Sequence, residues 1–362
     1  MYLYAVQCVV ALQHYFMRLQ TIIASLVLTL SALVASTTAF AQSGGDKGYE
    51  FLNITTSSKV YAMGGQNITL IDDDINMINQ NPALLGKEMH LQLGLNYMHY
   101  IGGSNFMGAT FGLKAHERGA LALGLQYFGY GEMKSAEADG TITGTFSPRD
   151  LSINLVYSHD ITDRIRGGIA VKMISSSYEQ YSAMALATDL GVNYFNPETD
   201  MSLSLVIKNL GGQVKKFNEE TVDLPWDIQL GWSQFLRNSP FRLSVTATNL
   251  NKWKMPYYAI DDKAETGEDI VEKEAFMSSL FRHLTFGVEY APSSKFYIGL
   301  GYSYKTRTDM TTYSRNFLSG FSLGAGFNTN ALGFGVALAQ PHVGGTTFMF
   351  NLRCNIAQFL NR

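Results

Sequence analysis

The chemistry available to this 362-residue chain rests on seven histidines, thirty acidic residues and two cysteines. Leaving His14 aside as too near the start, the histidines are His90, His99, His116, His159, His283 and His342. One pair could be brought together by a fold. His99 ends the first strand read below and His342 lies in the last loop, and the first and last strands of a closed sheet are neighbours. Two such imidazoles could bind a metal or act as a general base, although solvated rim histidines are the commoner outcome. No serine sits in a nucleophile elbow, and no His-Glu-x-x-His helix is present. Asp72-Asp73-Asp74 could hold calcium through clustered carboxylates, but no Gly and distal Glu follow at calcium-loop spacing. Three adjacent side chains also cannot all point one way, so a solvated or capping turn is expected there. Gly64-Gly65 is too short for a phosphate loop. The residues predict no enzyme, no metal and no cofactor.

Binding is better represented than catalysis. Residues 251–282 hold Asp261, Asp262, Glu265, Glu268, Asp269, Glu272 and Glu274, with Trp253, Tyr257, Tyr258, Phe276 and Phe281 around them. Exposed aromatics beside charge are the ingredients of a protein-binding patch. A mobile loop whose aromatics belong to a membrane-interface girdle is the equal alternative.

The elements that carry these residues are strands. From Met89 to Leu352 the chain repeats eight to thirteen residues of alternating apolar and small or polar side chains, then a turn. In Ser294–Tyr304, one face carries Phe296, Ile298, Leu300, Tyr302 and Tyr304, and the other Tyr297, Gly299, Gly301 and Ser303. A period of two makes a sheet with one apolar side. Facing lipid without edges, such a sheet is a transmembrane β-barrel. Fourteen strands are predicted: 89–100, 104–114, 118–130, 149–159, 163–176, 182–196, 199–210, 225–236, 240–250, 283–291, 294–306, 318–328, 331–340 and 346–353. Thr141–Phe146 stays in a loop, because single-chain bacterial barrels have even strand numbers.

The connections support this count. Short turns at His116-Glu117, Ile161-Thr162, Pro197-Glu198, Asn238-Ser239, Pro292-Ser293 and Thr329-Asn330 fall at every even link. The long links 131–148, 211–224, 251–282 and 307–317 fall at odd ones. Short periplasmic turns and long extracellular loops give this pattern when the N-terminus is periplasmic. Inward faces such as Ser322, Gly324, Gly326, Asn328 and Gly333, Gly335, Ala337, Ala339 leave room for something to lie against them. The segment before the first strand is the expected occupant, a plug or hatch, with a periplasmic extension as the alternative. Leu203–Leu210 and Leu243–Leu250 echo each other, both ending in Asn-Leu at the outer rim, where Asn tolerates turn geometry.

The chain's ends and composition fit this architecture. Met17-Arg18, the apolar run Ile22–Val34 and Ala39-Phe40-Ala41 predict a signal peptide over 1–41, with residues 1–16 superfluous if Met17 is the true start. Residues 42–88 form the plug segment, 89–353 the barrel and 354–362 a tail. Net charge is −3, which gives no support for nucleic-acid binding. Cleavage removes Cys8 and leaves Cys354 alone, so no intrachain disulfide can form.

Ser58–Leu85 carries a Met63-Gly64-Gly65 turn, the run Asp72-Asp73-Asp74-Ile75-Asn76-Met77 and Asn81-Pro82-Ala83-Leu84-Leu85. This segment resembles the start of the PorV/PorQ group, fourteen-stranded barrels related to the long-chain fatty-acid transporters, and is most similar to its PorQ-like branch in type IX secretion. The resemblance implies a non-enzymatic outer-membrane component of the surface attachment complex. It would hold a PorZ-like surface protein beside PorU and PorV, in contact with outer-membrane lipid and lipopolysaccharide. The wider family implies the alternative, a channel for hydrophobic small molecules. Many outer-membrane barrels end on an aromatic residue, whereas here Arg353–Arg362 continue beyond the alternating Phe348, Phe350 and Leu352.

Overall fold

The computed structural model describes residues 48–137, 141–217, 221–255, 257–260, 270–273, 275–309, 318–342 and 345–360. All belong to one compact unit, Lys47–Arg362. The expected signal peptide and its cleavage site lie outside the described residues.

Fourteen antiparallel strands close into a barrel: β1 (Gln92–His99), β2 (Asn105–His116), β3 (Gly119–Gly129), β4 (Arg149–Asp160), β5 (Ile165–Tyr178), β6 (Tyr181–Asn196), β7 (Met201–Lys215), β8 (Asp227–Phe235), β9 (Phe241–Ala247), β10 (Leu284–Ser293), β11 (Phe296–Ser303), β12 (Phe321–Asn328), β13 (Leu332–His342) and β14 (Gly345–Asn355). Each pairs with both neighbours, and β1 meets β14 from Gln92↔Asn355 to His99↔Phe348. All fourteen expected strands are present. Thr141–Phe146 is not a barrel strand, since its Ile142–Phe146 forms a separate hairpin with Met133–Ala136.

The alternation works as the sequence requires. Leu123, Leu155, Leu205, Phe334 and Phe350 point outward and are about half exposed, while Gln126, Asn154, Lys172, Ser204 and Asn351 point inward and are buried. Apolar outside and polar inside is the arrangement for lipid.

Several boundaries differ from the expectation. The barrel runs from Gln92, because Lys87–Met89 is a 3₁₀ turn, and to Asn355, because Cys354 pairs with Leu93 and Asn355 with Gln92. The tail therefore begins after the Gln92–Asn355 pairing, and Ala357–Leu360 is a short helix. Residues 251–282 are not structureless. Tyr257–Ile260 pairs with Ile270–Lys273, and Phe276–His283 is a helix that delivers the chain into β10. Likewise Tyr304–Asp309 is helical rather than extended. Asn209 and Asn249 both adopt positive φ (54° and 56°). Their N–H groups donate to Asp189 Oδ1 at 2.7 Å and Asp227 Oδ1 at 2.5 Å. The Asn-Leu echo therefore marks two places: Asn249 lies just past the end of β9, whereas Asn209 sits at a register shift inside β7, which runs on past the expected end at Leu210 to Lys215.

The segment 48–91 runs through the lumen. Gln213, on the long-loop end of β7, donates to the Tyr49 hydroxyl at 2.7 Å. At the other end Lys87 donates to the Glu117 carbonyl in the β2–β3 turn, and Leu91 N–H donates to Gly112 O. The described chain therefore starts at the long-loop end and descends to the short-turn end, where β1 begins.

Candidate functional site

The segment inside the barrel is built from short turns, each closed by a polar side chain. Ser57 caps helix α1 (Ser58–Ala62) by accepting from the Val60 N–H. Gly64 and Gly65 then end the helix at φ 98° and 80°, a left-handed conformation that favours glycine. Gly65 N–H donates to Val60 O, so this pair is a helix cap and not a phosphate loop. Met63 is fully buried beside Val60, Leu70, Met77 and Leu84. Asp74 caps Ile75–Met77 by accepting from Asn76 N at 3.0 Å. Asn81 caps Pro82–Leu84, accepting from Ala83 N at 2.9 Å while donating to Ile68 O at 3.0 Å.

The barrel wall receives these turns closely. Gly64 N–H donates to Ser322 Oγ at 2.9 Å, and Ser322 Oγ donates to Ala62 O at 2.9 Å. Asn351 accepts from Ser58 N–H and donates to Thr56 O at 2.7 Å. Ser158 Oγ donates to Leu85 O at 2.6 Å. The small inward residues are contact points: a methyl at Gly301 would overlap the Gly64 amide, and one at Gly168 would overlap the Pro82 carbonyl carbon.

Charge fastens the segment on its other side. Lys59 pairs with Asp72 on the same segment and with Glu289 Oε1 of β10 at 2.5 Å. Arg242 of β9 reaches Asp72 at 3.3 Å and Glu289 at 3.4 Å. Burial would raise the Asp72 carboxyl, but Lys59 and Arg242 together outweigh it and hold the group down at about 2. Asp73 and Asp74 are pushed up, chiefly by burial, with Glu88 adding to the effect on Asp73. The three aspartates thus do three separate jobs. Asp72 is an ion-pair partner, the Asp73 carbonyl accepts from Arg353 at 2.6 Å, and Asp74 is a cap. Beside them a cavity of about 650 Å³ opens at the short-turn end, lined by Lys59, Asp72, Arg242, Glu289 and Arg353. The long-loop half of the lumen holds an apolar cluster, with Phe51 and Leu52 packed among Met98, Phe106, Phe128, Ile174 and Met349, beside a buried Asp150 that accepts from Tyr130 and Tyr178.

The anticipated loop residues are partly brought together. Trp253 and Phe276 rings lie 5.7 Å apart and, with Phe281, are exposed. Tyr257 is covered by the Arg282 guanidinium, 5.0 Å from its ring, so it is not a free aromatic. The side chain of Tyr258 and residues 261–269 lie outside the described residues. The His99 imidazole faces Asn105 at 3.3 Å, and the side chain of His342 is outside the described residues. His116 and His159 do meet, rings 5.3 Å apart, around the Tyr157 hydroxyl. Among the described residues no group of three or more His, Cys, Asp or Glu could hold a metal. Sequence reasoning missed Lys59, Arg242 and Glu289; the available signal, a charged residue at an inward position of an alternating strand, covers Arg242 and Glu289 but not Lys59, which lies on α1.

No family model matches the chain, and no curated protein matches it in sequence. Solved structures do match. A deletion mutant of the monoaromatic hydrocarbon channel TodX aligns with TM-score 0.50 and 11% identity, over 83% of this chain and 97% of that one. The toluene transporter TbuX of Ralstonia pickettii gives TM-score 0.49 and 13% identity over 84% and 98%. A FadL homologue of Pseudomonas aeruginosa gives 0.48 and 12% over 83% and 98%. Likeness at such identity bears on fold alone. By fold, this chain is a closed fourteen-stranded antiparallel β-barrel with its N-terminal segment inside, and in that fold it is like the TodX channel.

Proposed function

We propose that this protein is a non-enzymatic mount: a stoppered outer-membrane barrel that holds a PorZ-like surface protein through its extracellular loops. In this reading it works beside PorU- and PorV-like components of a type IX attachment complex, with the long-loop end facing the cell exterior. The observation that carries the reading is how the lumen is closed. The motif residues Gly64, Asp72, Asp74 and Asn81 are the ones that fold and fasten the segment inside it, and the wall around it is continuously paired. A rigid, closed barrel suits a base better than a conduit. Deleting 257–273 should release the surface partner while the barrel stays folded; a partner that remains bound would remove the loop from the account.

The second reading is a channel for hydrophobic small molecules, and the fold likeness to TodX favours it over the mount. The apolar cluster around Phe106, Phe128 and Ile174 is a surface such molecules could enter if Phe51 and Leu52 withdrew. Fatty-acid uptake into vesicles that changes on altering Phe51 would support this reading.

A further inference from the structure

The helix Phe276–His283, here α2, is amphipathic in the opposite sense to a helix of a water-soluble protein. At about 100° per residue, Phe276, Met277, Leu280 and Phe281 share one arc, and Ser278, Ser279, Arg282 and His283 share the other. The polar arc is the buried one. Ser279, Arg282 and His283 are 9%, 5% and 1% exposed, whereas Phe276, Met277 and Phe281 are 65%, 57% and 41% exposed. Arg282 donates to Thr308 and, at 2.7 Å, to Asp309 of the helix Tyr304–Asp309. The His283 ring nitrogens face the carbonyl oxygens of Thr248 at 2.7 Å and Trp253 at 3.0 Å. These bonds fix the roll of α2 and hold its apolar side outward. In water the arrangement would be reversed, and a contiguous apolar patch held outward marks a contact surface.

The neighbours of the patch show what covers it. Phe281 packs edge-on against Tyr304 at 6.0 Å. Tyr304 opens the helix that directly follows β11, whose outward row is Phe296, Ile298, Leu300 and Tyr302. Helix α2 also runs directly into β10, whose outward row is Leu284, Phe286, Val288 and Tyr290. Thr285 pairs with Ser303, so the two rows are adjacent. The patch therefore continues the lipid-facing band at its long-loop end, and Trp253, stacked on His283 at 5.1 Å, supplies an aromatic ring at the boundary.

We infer that α2 is an interfacial helix that seats the base of the 251–282 loop in the acyl-chain and headgroup boundary of the adjoining leaflet. This deepens the mount reading and rests on it only for the identity of the loop as a docking element. Lipid takes up Phe276, Met277 and Phe281, and the hairpin beyond them is left for the partner. Interfacial helices of this kind combine a broad apolar face with Trp or Phe anchors.

The test is depth-resolved fluorescence on the full mature chain in phosphatidylcholine vesicles. A Met277→Cys variant in a Cys354→Ser background would carry an environment-sensitive nitrobenzoxadiazole probe. Gln180→Cys, in the exposed turn between β5 and β6, is the aqueous control. The 277 probe should be blue-shifted and quenched at least twofold by nitroxide-labelled lipid, with little effect of aqueous iodide, and the 180 probe should show the reverse. A 277 probe quenched by iodide like the control overturns the inference. So does one shielded from both quenchers, which would mean that protein covers the helix. Partner release by the hairpin deletion is scored separately, so failure of either result leaves the other readable.

Discussion

Lys59 of the lumenal segment and Glu289 of the barrel wall are joined with Nζ and Oε1 2.5 Å apart, and both side chains are under a tenth exposed. With Asp72 and Arg242 they make a four-membered ring of charge, two groups of each sign. The ring joins the lumenal segment to the barrel wall. Charges this buried are costly to leave single, so the ring acts as a unit.

Replacing one member should therefore loosen the segment more than the strands. Glu289→Gln leaves Lys59 and Arg242 to share Asp72 and should cost about 3 kcal/mol. Amide hydrogen exchange in detergent micelles would show it: residues 56–80 should exchange faster, with strand amides unchanged. Exchanging the wall charges (Arg242→Glu with Glu289→Arg) should recover part of the protection.

Close approach is a second fastening. A methyl at Gly301 would overlap the Gly64 amide and Met63 carbonyl carbon, whereas Gly144 has nothing within 4 Å. Gly301→Ala should displace the Met63–Gly64 turn and cost about 1–3 kcal/mol by overpacking. Gly144→Ala should be neutral. Protease sensitivity near residue 64 in the folded barrel checks the pair.

The acid response follows from Asp72. Its carboxyl lies at about 2 in the folded protein against 3.8 when free. A lowered folded value contributes stability that is fully present above about pH 4 and is lost as pH falls toward 2, roughly 2 kcal/mol in all. Segment release measured from pH 5 to 2 should steepen below pH 4, and Asp72→Asn should remove that steepening. Asp73 and Asp74 are raised, so they oppose it: their protonation on acidification relieves the folded state.

At the register shift inside β7, Asn209 holds φ at 54° and donates its side-chain amide to Pro225 O at 3.1 Å. Asn209→Val should destabilise by about 1–2 kcal/mol, the cost of a left-handed conformation for a side-chain-bearing residue. Asn209→Gly should be milder. Urea midpoints in micelles separate the two.

The barrel was legible because its signal is local and repeated. Phe296 through Tyr304 alternate without a break, and the even links stay short from His116-Glu117 to Thr329-Asn330. The occupied lumen was legible more indirectly, from the small faces around Gly324 and Gly335. What joins the segment to the wall was not, because Lys59 and Glu289 are far apart in sequence and become partners only when β10 has its register. Helix α2 was hidden for another reason. Trp253, Phe276 and Phe281 read as scattered aromatics until the arc of Phe276, Met277, Leu280 and Phe281 is set against the polar arc of Ser279, Arg282 and His283. That pattern was present in the residues, but the long acidic stretch beside it suggested a loop.

Whether the barrel is a closed mount or a conduit is decided most directly by uptake of a fluorescent fatty acid into vesicles carrying the purified protein. The fastened segment predicts uptake no faster than in protein-free vesicles. Saturable uptake above that background, reduced when Phe51 is replaced, would contradict the account and establish the channel.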